Sequence, residues 1–282
     1  MIVNMLAATG PRDEGLALLG RARSAEAVTA ALSVIAPDNP RLRDAILQRY
    51  DDLKAEPRRL DADAGIRAAL LRGLRQCARA ADIGLLEDAV QTYEFGAHCE
   101  PHGEVACNLR AAGLLALAEV DEPLAAFHAT RLLADRFTAA GSREPALTAV
   151  RLLAATGHNL PLYRHLLQDG AIGEEAAECF RALADAPAGI LLDLAERWQS
   201  SSDEIALLGM FDTLLGHRAL HRFSGFVMRF IEESPLLDLV AYIAAAIVAG
   251  HNEALIELLA NRATLPDPRG RLIRDALALR PA

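Results

Sequence analysis

The sequence predicts an all-α protein, a solenoid of about seven to eight antiparallel helix pairs packed side by side. Three observations predict it. Val, Ile and Thr rarely alternate with polar residues, so strand patterns are nearly absent, whereas Ala and Leu recur at helical spacing. The apolar stripes are broad, as helices buried between two neighbours require. Marks of helix ends recur every few tens of residues, the range of two-helix repeats.

The stripes come first. Leu109, Ala112, Ala116 and Val120 fall on one helical face, as do Leu162, Leu166 and Leu167, and again Leu255, Leu258 and Leu259. Helix starts are marked as well. Asp121-Glu122-Pro123 opens a helix with acidic residues at its positive end. Ser201 to Glu204 fits a capping box, with Ser201 at the cap. Ser234-Pro235 places a hydroxyl before a proline at the first helical position, and Gly250 ends that helix.

Two short patterns repeat. Gly157-His158, Gly216-His217 and Gly250-His251 each close one helix and open the next, with glycine supplying the left-handed turn. An apolar residue followed by arginine stands early in a helix at Ile66-Arg67, Leu109-Arg110, Val150-Arg151 and Phe180-Arg181, at intervals of 43, 41 and 30 residues. These marks divide the chain into 10–37, 38–80, 81–120, 121–157, 158–185, 186–216 and 217–249, with 250–282 as a capping pair. No composition shift separates domains, so the reading is one domain over 1–282.

The pattern resembles HEAT repeats. The stretch Asp61 to Leu70 resembles the start of a HEAT second helix, with Asp63 four residues before Arg67 as in the family's inter-repeat Asp–Arg ladder. Asn39 and Arg43 nearly match, while Ala106, Leu147 and Ala177 occupy the acid position in later repeats. The resemblance, to bacterial HEAT proteins without an enzymatic motif, implies a right-handed superhelix whose second helices line the concave face.

Bulk composition narrows the function. The chain has 282 residues, is 52% hydrophobic and carries a formal net charge of -9. Proteins that grip phosphate backbones carry a basic surplus, so nucleic acid is disfavoured as a partner. Aromatics make up 5%, leaving few rings for stacking on bases. Lys54 is the only lysine, which points to the compositional bias of a GC-rich bacterial genome. Residues 1–10 lack the basic and apolar regions of a signal peptide. The apolar run Leu239 to Gly250 is too short to span a bilayer. The expectation is a cytoplasmic protein with free thiols at Cys77, Cys99, Cys107 and Cys179.

Few residues suggest chemistry. His98, Cys99, His102 and Cys107 have metal-ligand side chains but no recognised finger spacing, and a polar inter-helix loop is the preferred reading. His217 and His221 are spaced to share a helix face, yet Arg218 stands where a zinc protease needs glutamate. Arg72, Arg75 and Arg79 form a stripe on one helix. Residues 41–80 hold ten basic and six acidic side chains, and 82–122 hold nine acidic ones and only Arg110. That asymmetry hints at a partner surface, set against a merely solvated face. Trp198 is a further candidate anchor, set against a core position. No cofactor motif or catalytic constellation is present. The expected function is a non-catalytic scaffold that binds another protein. The alternatives are a HEAT-like nucleic-acid-binding protein or DNA glycosylase, and a lyase- or chaperone-like HEAT protein.

Overall fold

A computed structural model describes residues 11–36, 38–96, 103–139, 141–168, 170–264 and 266–279. Among the described residues there are seventeen α-helices and no strand, with one isolated β-bridge between Phe95 and Glu104. The chain forms two compact units, Met1–His158 and Asn159–Ala282, joined at the Gly157-His158 turn.

The first unit runs α1 (Pro11–Arg21), α2 (Ala25–Val34), α3 (Leu42–Ala55), α4 (Pro57–Leu60), α5 (Gly65–Leu74), α6 (Ile83–Gln91), α7 (Cys107–Ala118), α8 (Glu122–Leu133) and α9 (Ala146–Ala155). The second runs α10 (Asn159–Leu167), α11 (Gly173–Ala182), α12 (Ala188–Trp198), α13 (Glu204–Gly216), α14 (Ser224–Glu233), α15 (Leu237–Ala249), α16 (Glu253–Ala263) and α17 (Pro268–Leu277). Each of the eight segments marked in the sequence holds one helix pair, and the single turn α4 is an extra in the second.

Packing follows the pairing. In the first unit, α2 packs on α5, α5 on α7 and α7 on α9, while α1 packs on α3. In the second, α11 packs on α13, α13 on α15 and α15 on α17, while α14 packs on α16. The interior second helices, α5, α7, α13 and α15, are therefore each flanked by second helices on two sides. Their burial shows this: α7 buries Leu109, Ala112, Leu114, Ala116 and Leu117, and α13 buries Leu207, Met210, Phe211 and Leu214. The outer stripes are narrower than the sequence suggests, since Leu167 and Leu258 remain exposed. The run from Leu239 lies within α15, and no helix is long and apolar enough to cross a membrane among the described residues.

Three end signals read differently in three dimensions. Asp203, not Ser201, caps α13 by accepting from the Ala206 N–H, and Ser201 Oγ instead accepts from the Asp203 N–H. A carboxylate one residue from the helix outcompetes a hydroxyl further out. Ser234 accepts from the Leu236 N–H, so Pro235 lies in a turn before α15 rather than at its first position. Gly157 is left-handed at φ 75°, as a helix C-terminus favours, but at the third Gly-His it is His251 that turns, at φ 52°, while Gly250 stays right-handed. Asp121 caps α8 as expected, through the Leu124 N–H.

Close backbone approach sets the tightest contact. A Cβ on Gly209 of α13 would lie 2.6 Å from the Ala177 Cβ and carbonyl oxygen of α11 and closer still to its Cα. Backbone cannot move aside cheaply. Gly209→Ala is expected to destabilise the chain by about 1–3 kcal/mol, the cost of overpacking. Gly189→Ala, which meets nothing within 4 Å, is expected to be neutral or slightly stabilising. Paired urea melts of the two variants check this, and equal midpoints would refute the close-contact account.

Candidate functional site

The densest polar chemistry of the first unit lies where the α6–α7 connection meets α5 and α7. The base of this connection is a short antiparallel clasp. The Val105 N–H donates to the Glu94 carbonyl at 2.8 Å, and the Gly96 N–H to the Gly103 carbonyl at 3.1 Å. His98, Cys99 and His102 lie outside the described residues.

Two buried arginines organise the clasp. Arg67 on α5 is 2% exposed. Its Nε donates to Asp61 Oδ2 at 2.8 Å, and its two terminal nitrogens donate to the two Glu94 oxygens at 2.7 Å each. Asp61 also accepts from the Ile66 and Arg67 N–H groups, so one carboxylate both caps α5 and neutralises the guanidinium. Burial works to lower the Arg67 pKa, but the bonds to Glu94 and Asp61 outweigh it and hold the pKa above the ordinary arginine value.

Arg110 on α7 repeats the arrangement. It is fully buried, with Glu104 Oε2 at 2.8 Å. It donates to the Thr92 and Phe137 carbonyls, and its guanidinium carbon sits 4.2 Å from the centre of the Tyr93 ring. Its Nε lies 3.4 Å from Asp135 Oδ2 but is misaligned for a hydrogen bond, so that contact is ionic only. Glu104 Oε1 accepts from the Glu94 and Ala106 N–H groups.

Cys107 belongs to this cluster. Its thiol donates to Glu104 Oε2 at 3.0 Å. Burial, reinforced by the Glu104 carboxylate as hydrogen-bond acceptor and as charge, pushes its pKa up to about 12. Without a metal the thiol is thus held protonated.

Beside the cluster lies a hollow of about 500 Å³ lined by Tyr93, Phe95, Arg131, Asp135, Arg136 and Phe137. Phe137 meets Tyr93 and Phe95 edge-on at 5.8 and 5.4 Å, and the Tyr93 hydroxyl donates to Asp135 at 2.9 Å. Phe95 is half exposed. The hollow is assembled from separate connections and is not visible as a whole in the sequence. Its one signal was two aromatic residues within Tyr93-Glu94-Phe95, in a chain with 5% aromatics.

The other candidates are dispersed. Arg72 is an exposed residue of α5, Arg75 is its C-cap, and Arg79 follows a turn beyond the helix, so the three do not form a single-helix stripe. Arg75 donates to Glu119 from Nε at 3.1 Å, both side chains being exposed. Trp198 closes α12, donates from Nε1 to the Leu166 carbonyl at 3.0 Å and meets Phe180 edge-on at 5.6 Å. It ties two helix pairs together and shows its remaining edge to a hollow of about 460 Å³ with Ile172, Arg197 and Asp203.

His217 is buried. Its Nδ1 accepts from the Ala219 N–H at 2.9 Å, so its Nε2 carries the proton offered to the Ala186 carbonyl at 3.1 Å. His221 lies in a separate 3-10 turn and is exposed, so the two do not share a helix face. Cys77, Cys107 and Cys179 are free thiols, and no group of three metal-ligating side chains occurs among the described residues. Compared with family models, curated proteins and solved structures, the chain has no match.

Arg110→Met would leave Glu104 and Asp135 buried without their cation. The expected loss is about 3–5 kcal/mol, against about 0–1 kcal/mol for Arg181→Met, whose pair with Asp212 is exposed. Denaturant melts of both variants check the contrast. In the native chain at pH 8, Cys107 is expected to react with a disulfide reagent far more slowly than the half-exposed Cys77. Peptide mapping of the labelled chain reads the two sites separately.

Proposed function

We propose that this chain is a non-catalytic scaffold that binds another protein through the surface of a HEAT-like, right-handed α-solenoid, in the cytoplasm. The observation that carries this reading is the serial packing of second helices, α2 to α5 to α7 to α9 in one unit and α11 to α13 to α15 to α17 in the other. Units stacked in this way bury one helix of each pair and leave the outer helices to present side chains. Large apolar side chains stand out from those outer helices: Phe127 on α8 is 77% exposed and Leu160 on α10 is 81% exposed. Such residues are ready contacts for a partner, at sites where aromatic anchors carry much of an interface's energy.

The ionisable groups favour the same reading. Arg67, Arg110, Asp61 and Glu104 are committed to one another, and Arg43 and Asp82 form a further pair. Arg72, Arg75 and Arg79 stay at the surface, and the exposed Arg75–Glu119 pair is weak enough to exchange for an acidic partner.

Affinity capture from the native cell tests this, with the unmodified chain beside the variant Arg72→Glu, Arg75→Glu, Arg79→Glu. Reversing Arg75 places a carboxylate beside Glu119, an exposed position where the cost is about 0–1 kcal/mol, so circular dichroism should show an intact fold. The expected result is a defined protein partner retained by the unmodified chain and lost from the variant. Retention of nucleic acid with steep salt dependence, and of no protein, would overturn the reading.

A further inference from the structure

Among α1, α3 and α4 lies a hollow of about 740 Å³, lined by Gly20, Arg21, Arg23, Arg49, Arg59 and Leu60. Four of its six lining residues are arginines, and no carboxylate lines it. Arg21 and Arg23 are exposed and form no ion pair among the described residues. Arg59 is paired with Glu56, both side chains more than half exposed, so that pair is weak and open to exchange. Arg49 is the fixed member. Its Nη2 donates to the Ala22 carbonyl at 2.8 Å, just beyond the end of α1, which anchors the guanidinium. Its Nε is buried and has no acceptor.

A purely structural role explains only part of this. Guanidinium groups do satisfy the carbonyls at a helix C-terminus, and Arg49 does so here. Arg21 and Arg23, both exposed, are not accounted for. Four like charges around one hollow raise its potential and disfavour the compact state unless an anion shares the site. Guanidinium forks match phosphate oxygens two at a time, and the volume falls in the range of roughly 300–1,000 Å³ usual for small-ligand sites.

We propose that this hollow binds a ligand carrying at least two phosphate groups, gripped by Arg21, Arg23 and Arg59 around the anchored Arg49. Isothermal titration of the full chain tests it, with inorganic pyrophosphate in one arm and a doubly phosphorylated serine peptide in the other. The expected result is saturable binding in at least one arm, weakened about tenfold or more by Arg21→Gln with Arg23→Gln and unchanged by Arg271→Gln, at an exposed arginine of α17. The tighter arm tells a free phosphate compound from a phosphorylated chain. Both substituted arginines are exposed, so the fold is expected to survive, and circular dichroism checks it. Three outcomes would overturn the proposal: no heat in either arm, equal binding by the double variant, or equal displacement by sulfate at matched ionic strength.

Discussion

Apart from the single turn α4, the helices of this chain run from 9 to 14 residues. A helix that short is marginal in water, because nucleation is unfavourable and few propagating bonds follow to offset it. Every helix therefore owes its existence to a neighbour, and the chain order of neighbours dictates the packing. The second helices meet this need most fully. α7 is covered by α5, α6, α8 and α9, and buries even the guanidinium of Arg110. Closest approach demands small residues, which is why Gly209 faces Ala177 across α13 and α11, and Gly113 lies against Ala89 and Val90 of α6.

Apolar burial alone does not fix which pair sits beside which, and the polar contacts of the first unit supply that register. Arg43 reaches Asp82, Arg67 reaches Glu94 and Arg110 reaches Asp135, each from one helix pair to the next. Exposed pairs follow the same direction: Lys54 with Asp88, and Arg75 with Glu119. Exposed pairs contribute little energy, but the buried ones penalise any slipped packing, which would strand a charge away from water. These clasps specify the arrangement more than they strengthen it.

The positions of the helices were legible because periodicity and turn residues are local signals. Eight segments drawn from sequence each contain one helix pair. The ends were less legible, since several acceptors compete for the same N–H groups within two or three residues, as Ser201 and Asp203 do before α13. The partners of Arg67 were not legible for the same reason. Asp63 has the spacing of a ladder acid, yet it accepts from the Gly65 N–H, and Asp61 receives the guanidinium instead. The hollow around Phe95 and Phe137 was illegible because it is assembled from separate connections, and no window of sequence contains it.

The four apolar–arginine pairs show what separates a buried arginine from a surface one when the local sequence looks alike. Arg67 and Arg110 are buried, whereas Arg151 and Arg181 are exposed. The deciding position lies six residues earlier. Asp61 and Glu104 stand there in the first two cases, in the connection before the helix begins, where a carboxylate can accept from the guanidinium and from backbone N–H groups together. Pro145 stands there before Arg151 and offers no charge. Glu175 stands there before Arg181, but it lies inside α11, where His165 of α10 takes it as a buried partner. Without a carboxylate in that place, burying the guanidinium would cost more than packing returns, and Arg181 turns outward to Asp212 of the following pair. The arginine alone does not encode burial; the acid in the preceding connection does.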